Sequence, residues 1–373
     1  ALMDDASESP RRRGAWFGFG ATTLLLLWHL ASFDVAALPI VSDVRFYLYF
    51  AWRVSEGAVP HRDFFDHKTQ LASFVGAAFQ GVGGSLGADP LLAIRVGYLT
   101  LAGATGLLAY AVQRRLANGS PLAGGLGALA YCSFGLLGLL PATGCVPKLL
   151  VALCASAAAL LAHRQRWLAA GALGALAALD WQIGALAWLG VFVAAALCAP
   201  ERLRASLRVV AGGALGVLPY FAYFALRGAL GEALAQSIGG SLDRSAGTQA
   251  RDSFGARLER IGHLVSTDCA GQTWLVVLSV VGVGVAFVWL VKRRELRTLL
   301  VPLLVVHLGI AAFSLFDFQW HADLFVLLHG VTFFLALAWS GLWSVLAPRL
   351  GTPRARTAAG VVLLGVAFVC ARP

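Results

Sequence analysis

Apolar runs of helical length, broken by short stretches that carry arginine, make up most of this chain. The runs are rich in Leu, Ala, Val and Gly, and a run of that length satisfies its own backbone hydrogen bonds inside a bilayer as a helix. A membrane barrel would show short segments of alternating polarity instead, and the chain does not. The pattern predicts an all-α, polytopic integral membrane protein forming one transmembrane domain over residues 1–373.

The basic stretches order the crossings. Arg11, Arg12 and Arg13 hold the N-terminus inside and send a first helix, residues 15–33, outward. The apolar run from Gly14 lacks a small-residue cleavage site, so it is expected to be retained rather than removed as a signal peptide. Arg114 and Arg115 also belong inside, which leaves room for one further crossing, 91–112. The glycine-broken stretch from Leu71 to Leu86 is then a re-entrant or interfacial helix within an external loop one, residues 34–90.

Further helices are expected at 121–140 and 149–162, in two short segments of 168–199 that meet outside around Asp180, Trp181 and Gln182, and at 209–226. In an external loop two, residues 227–272, Phe254, Leu258, Ile261 and Leu264 recur at the spacing of an amphipathic surface helix, with a moving lid as the alternative. Crossings at 273–291, 298–315 and 324–347, and a last one from 358, bring the total to about eleven. Six basic segments, counting the N-terminus, then share one side; among them are His163–Arg166, Lys292–Arg297 and Arg349–Arg356.

Composition agrees. The chain is 59% hydrophobic and 13% charged, with mean hydropathy +0.76, more apolar surface than a soluble core can hide. A net charge of +10 would suggest nucleic acid in a soluble protein, but arginines confined to short loops mark the positive-inside pattern, and no nucleic-acid partner is expected. The six cysteines lack metal-ligand spacing and read as small core residues; a Cys145–Cys269 bridge is compatible with the topology. His29, His307 and His329 lie in apolar runs and read as satisfied core histidines.

The chemistry-bearing residues concentrate in loop one. Ser42 can cap a helix that stops at Gly57, which sets Asp43 in the first turn, where the helix dipole favours the ionised carboxylate that a general base needs. Asp43 either serves that role or only caps a surface helix. Arg62, His67 and Lys68 interleave with Asp63 and Asp66, an arrangement suited to a lipid phosphate or, alternatively, to an ion-paired loop clamp. A divalent cation is left open, because Asp66 and His67 offer two ligands and two ligands are not a site.

From Asp43 to Leu71 the chain resembles the first external loop of the GT-C glycosyltransferases, especially the protein O-mannosyltransferases and bacterial aminoarabinose transferases. Their pattern reads roughly D-E-x-x-Y, then G-x-x-P-Y-R-D-F-F-x-H-K-P-P-L. This chain has Asp43-Val44 with Tyr47, then Gly57, and Pro60-His61-Arg62-Asp63-Phe64-Phe65-Asp66-His67-Lys68-Thr69-Gln70-Leu71. The resemblance implies an enzyme of the bacterial inner membrane, N-terminus cytoplasmic, transferring a sugar from a polyprenyl-phosphate donor to an acceptor glycan, lipid or protein on the external face, with inversion. Asp43 falls on the family's catalytic aspartate. Arg45, Arg62, Asp63, Asp66, His67, Lys68, Lys148, Asp180, Gln182 and His321 are the candidate contacts to the lipid phosphate or substrate.

The chain departs from that pattern in places. Val44 replaces an acid, Thr69-Gln70 replaces Pro-Pro, and Thr143-Gly144-Cys145-Val146-Pro147-Lys148 lacks an acid often found there. Trp181 stands where a family lysine contacts phosphate, with Lys148 or Arg45 as substitutes. The segment from Phe316 to Asp323 offers either His321 to the phosphate or a helix junction capped by Asp323. These departures, and a chain ending where many relatives continue, keep a second expectation: a non-catalytic subunit or scaffold with membrane protein partners. A transporter is a third, and it wants mid-membrane charges and a repeated half, neither of which is seen.

Overall fold

The computed structural model describes residues 5–41, 43–240, 253–269, 271–318 and 321–352, with isolated positions 242, 243, 359, 360, 362 and 365; side chains are described from residue 18 onward. It is helical throughout, and among the described residues the one extended pairing is a single bridge between Pro60 and Phe64. Loop one contains α2 (Val44–Ser55) and α3 (Leu71–Ser85), after a first helix α1 (Asp5–Ala31). The bundle continues with α4 (Pro90–Leu116), α5 (Pro121–Cys132), α6 (Leu136–Thr143), α7 (Leu149–His163), α8 (Trp167–Asp180), α9 (Ala185–Cys198) and α10 (Arg202–Leu226). Loop two contributes α11 (Leu230–Leu234) and α12 (Phe254–Asp268) before α13 (Thr273–Lys292), α14 (Arg297–Ser314) and α15 (His321–Leu346).

Among the described residues, five helices are long and apolar enough to cross a bilayer: α4, α10, α13, α14 with the turn before it, and α15 with the turn after it. The count is six if α5 and α6, bent by 60° at their junction, form one span. That bend corrects the expected continuous helix over 121–140, since Ser133, Phe134 and Gly135 interrupt it. Helices α7, α8 and α9 are apolar but short; at 1.5 Å per residue each covers about 21–23 Å of a hydrocarbon core of about 30 Å. Of the expected last helix from 358, only positions 359, 360, 362 and 365 are described, and Arg354 and Arg356 lie outside the described residues.

Burial follows from apolarity. α15 is apolar on all sides and is the most enclosed of the long helices, which makes it the centre of the bundle. By contrast α13 exposes Val277, Val281, Val288 and Val291, and α10 exposes Leu203, Leu207, Val210 and Leu218; stripes of this kind need lipid to cover them. Helices α8 and α10 touch backbone to backbone: a Cβ on Gly171 would stand 2.3 Å from the Val209 carbonyl oxygen, and one on Gly212 would stand 2.0 Å from that of Leu168. Such small-residue contacts are how helices associate where no hydrophobic drive separates them from lipid.

Polar residues gather at two ends. At one end, Arg293 donates to the Leu116 carbonyl (2.6 Å) and to the Asn118 side chain, and His163 meets Thr298 (3.1 Å), so three arginine-bearing loops converge. The other end carries loops one and two, the α8–α9 turn and the start of α15, where Gln182 donates to the carbonyls of His67 (2.8 Å) and Ser237 (2.7 Å). Three of the basic loops read from the sequence thus meet at one end of the bundle.

Cys145 and Cys269 are free, buried core residues and form no bridge; the Cys145 thiol faces the Ala72 carbonyl (3.2 Å) and the Tyr98 hydroxyl (3.0 Å). The reading of the histidines is corrected in part. His29 and His329 each keep a buried Nε2 with no hydrogen-bond partner, so neither is fully satisfied. His329 and His307 line an internal cavity of about 30 Å³ together with Gln113 and Thr332, room for a water or two in apolar surroundings.

Candidate functional site

The helix carrying Asp43 is terminated by its own sequence. After α2, Gly57 adopts φ +89°, the Gly57 N–H donates to the Val54 carbonyl (3.0 Å) and the Ala58 N–H to that of Arg53 (2.9 Å), the paired bonds of a Schellman stop. At its other end, α2 begins at Val44, so Asp43 occupies the cap position rather than the first turn, and its carboxylate makes no capping hydrogen bond. The proposed capping residue, Ser42, lies outside the described residues. Asp43 is left half exposed and free of the backbone, which weakens the purely structural role weighed for it.

Lys68 reaches this carboxylate from the far end of loop one. Its Nζ stands 3.9 Å from Asp43 Oδ2 and 5.5 Å from the centre of the Tyr47 ring, one turn along α2. Burial, and then the positive charge of Lys148, push the Lys68 ammonium below its ordinary pKa, while Asp43, Asp66 and Asp323 oppose the shift. Burial raises the Tyr47 phenol well above its usual value, and Asp66, Asp43 and Asp180 add to this. These mutual influences draw together residues from loop one, the start of α7, the end of α8 and the start of α15.

Lys148 is the hub. It is buried, takes a left-handed backbone conformation (φ +78°) as it leads into α7, forms a close ion pair with Asp323 of α15, and lies 4.3 Å above the Trp181 ring. Asp180 is fully buried and faces the amides of Lys148, Leu150 and Val151 at the start of α7, without closing a hydrogen bond of ordinary geometry. Its carboxyl group thus sits at the positive end of a helix dipole.

Other candidates are used structurally. Arg62 grips Asp63 with two contacts (2.9 and 3.1 Å) and donates to the Arg227 carbonyl (3.1 Å); Asp63 also accepts from the Val59 N–H (2.7 Å). Arg62 is the main reason the Asp63 carboxyl is held down at about 2, with the Val59 amide assisting. Arg227 in turn donates to the Gly57 carbonyl (3.1 Å), so these residues form the loop clamp that was one of the two expectations.

Asp66 is buried and accepts from the Gln70 side chain (2.5 Å) and the Lys68 N–H (3.1 Å), with His67 Nδ1 at 3.4 Å; burial pushes its carboxyl up. Among the described residues, no three His, Cys, Asp or Glu side chains are placed to hold a metal ion. His321 faces Asp268 of α12 at 3.1 Å, and Arg45 is exposed.

Several contributors are not evident from the sequence. Gln236 of loop two meets His61 (3.2 Å) and the Asp66 N–H (3.3 Å), and the Tyr220 hydroxyl accepts from the Gln70 N–H (3.0 Å). Arg95 is buried in α4 and donates to the carbonyls of Val35, Leu38 and Thr143, fixing the entry to loop one. The available signals were weak: an arginine one turn inside a span, and Asp323 two residues after a flagged histidine.

No protein-family model matches the chain, and no curated protein does. The candidate site is therefore argued from its own geometry.

Proposed function

We propose that this chain is a membrane glycosyltransferase that moves a sugar from a polyprenyl-phosphate donor to an acceptor hydroxyl, with inversion and with Asp43 as general base. The observation that carries the proposal is the meeting of Asp43, Lys68, Lys148 and Asp323, four charges distant in sequence, at one end of an apolar bundle. In this mechanism the acceptor hydroxyl gives its proton to Asp43 as its oxygen bonds to the anomeric carbon. The bond from that carbon to the phosphate oxygen breaks, and the lipid phosphate leaves with the electron pair.

Lys68 and Lys148 stabilise the departing charge, a task for fixed cations in a site sheltered from water. A phosphate between two ammonium groups that repel each other relieves the repulsion that depresses Lys68. Lys148 extends over Trp181, the position of the family's phosphate-contacting lysine, so a lysine from the start of α7 takes the place of the one lost. Asp323 is the counter-ion that holds Lys148 until the phosphate takes over. Arg62 has no part in this scheme, since each of its three nitrogens donates within the clamp.

The topology that accompanies this reading has about eleven crossings, the short α8 and α9 each counting as one, with the basic loops cytoplasmic and loops one and two external in a bacterial inner membrane. The test is transfer in proteoliposomes from a panel of polyprenyl-phosphate sugars by the parent and by Asp43→Asn. Unchanged transfer by Asp43→Asn removes the base. A parent inert toward every donor, while still binding polyprenyl phosphate, points to the non-catalytic subunit instead.

A further inference from the structure

At the opposite end of the bundle lies a groove that sugar transfer does not use. We propose that it binds the phosphate of an anionic phospholipid from the leaflet that the basic loops face. The groove encloses about 380 Å³ and is lined by Phe19 of α1, Tyr110, Arg114 and Arg115 of α4, and His163 and Arg164 at the end of α7. That volume lies within the range of small-ligand sites, about 300–1,000 Å³.

Charge is the first argument. The positive charges of Arg115 and Arg164 both fall on His163. Among the described residues, Arg114, Arg115 and Arg164 pair with no carboxylate; Arg114 donates to the Gly119 carbonyl (3.2 Å), and His163 Nδ1 meets the Thr298 hydroxyl (3.1 Å). Three guanidinium groups gathered without an acid make a strong phosphate receptor, because each offers planar, forked donors to phosphate oxygens.

The second argument is an unpartnered donor. Tyr110 is 2% exposed, and its hydroxyl has no hydrogen-bond partner. Its ring is held between α1 and α5, where a Cβ on Gly18 would come within 3.1 Å of the hydroxyl and one on Gly124 within 2.5 Å of the ring. A buried hydroxyl fixed without a partner is costly, and an anion oxygen in the groove removes that cost.

The surroundings select a lipid over free phosphate. Phe19, Leu24 and Leu27 of α1 are exposed, so apolar helix surface continues from the groove and suits an acyl chain. Basic pockets between membrane helices on the positive side are where anionic head groups dock.

The experiment is native mass spectrometry of the full chain in neutral detergent, with phosphatidylglycerol or phosphatidylcholine added at equal concentration. Phosphatidylglycerol is expected to be retained preferentially. Arg115→Gln with Arg164→Gln should lower that retention on the order of tenfold or more, at about fivefold per arginine. Tyr110→Phe should lower it severalfold, and phosphatidylcholine should be indifferent to all three changes. Arg202→Gln with Arg208→Gln, an equal loss of charge in the first turns of α10, should leave retention as it is.

Equal retention by the Arg115/Arg164 variant, or an equal loss in the Arg202/Arg208 variant, overturns the proposal. Displacement of phosphatidylglycerol by millimolar inorganic phosphate overturns the lipid assignment in favour of a free-phosphate site. If circular dichroism shows that the double variant does not fold, the near-isosteric Tyr110→Phe decides, and unchanged retention there overturns the proposal.

Discussion

The two ends of the bundle hold charge in opposite ways. At the loop end, Lys148 faces Asp323, Lys68 faces Asp43, Arg62 faces Asp63 and His321 faces Asp268. At the basic end, Arg114, Arg115 and Arg164 face no acid among the described residues. Burial accounts for the two lysine pairs. A lysine taken out of water costs several kcal/mol unless a counter-charge accompanies it, whereas an arginine at the head-group level stays solvated and can remain unmatched. The Lys68–Lys148 site is thus a set of pairs that a ligand must open, and the Arg114–Arg115–Arg164 groove is an open set that a ligand completes, while Arg293 beside it pairs with Glu295 (3.3 Å).

The sharpest way to break this contrast is at the base. Asp43→Asn keeps the shape of a half-exposed side chain that makes no cap bond and removes one counter-charge of Lys68, so stability should fall by at most about 1 kcal/mol, the scale of a partly exposed ion pair, while transfer falls by about 10²–10⁴, the usual share of a general base. A fall in stability several times larger would show that Asp43 is structural. Next in size, Lys148→Ala takes away the ammonium that faces the buried Asp323 and should destabilise the fold by about 3–5 kcal/mol, read by thermal unfolding in detergent. Lys148→Met combined with Asp323→Leu should recover most of that stability with no return of transfer. Failure to recover would mean that the pair is not what the mutation broke.

Acidity gives a smaller effect with a definite sign. Lys68 titrates below its ordinary 10.5 in the fold, so between the lowered value and 10.5 the unfolded chain binds more protons and stability rises with pH. Phosphate affinity needs the ammonium and should fall across the same window. Opposite slopes of melting temperature and of polyprenyl-phosphate binding against pH are therefore expected, and Lys68→Met should flatten both. Slopes of the same sign would place Lys68 outside the site. The smallest effect is at the clamp: Arg62→Ala should change transfer less than threefold, and a loss on the scale of Asp43→Asn would return Arg62 to the site.

Local features were legible in the sequence where a short stretch decides them. The stop of α2 at Gly57 depends on one glycine, the short α8–α9 pair on the polar Asp180-Trp181-Gln182 turn, and α12 on apolar residues at helical spacing. The break between α5 and α6 was hidden because the run stays apolar through Phe134, and apolarity alone carries no direction. The pairing of Lys148 with Asp323 spans 175 positions, so no spacing rule reaches it. The Arg62–Asp63 clamp was foreseen as one of two outcomes, since adjacent opposite charges in a loop can face each other or a ligand and only the fold decides.

The glycine contacts between α8 and α10 bear on how the protein enters the membrane. Helices α8 and α9 are each shorter than the hydrocarbon core, so they cross it only with support from their neighbours. With Gly171 against the Val209 carbonyl and Gly212 against that of Leu168, the helix that can span is locked to its short neighbour at van der Waals distance. Insertion of the three helices is therefore coupled: α10 must be present before the α8–α9 hairpin becomes stable. Ribosome-stalled chains that end between α9 and α10 should leave the hairpin extractable by alkaline carbonate, and chains that include α10 should not.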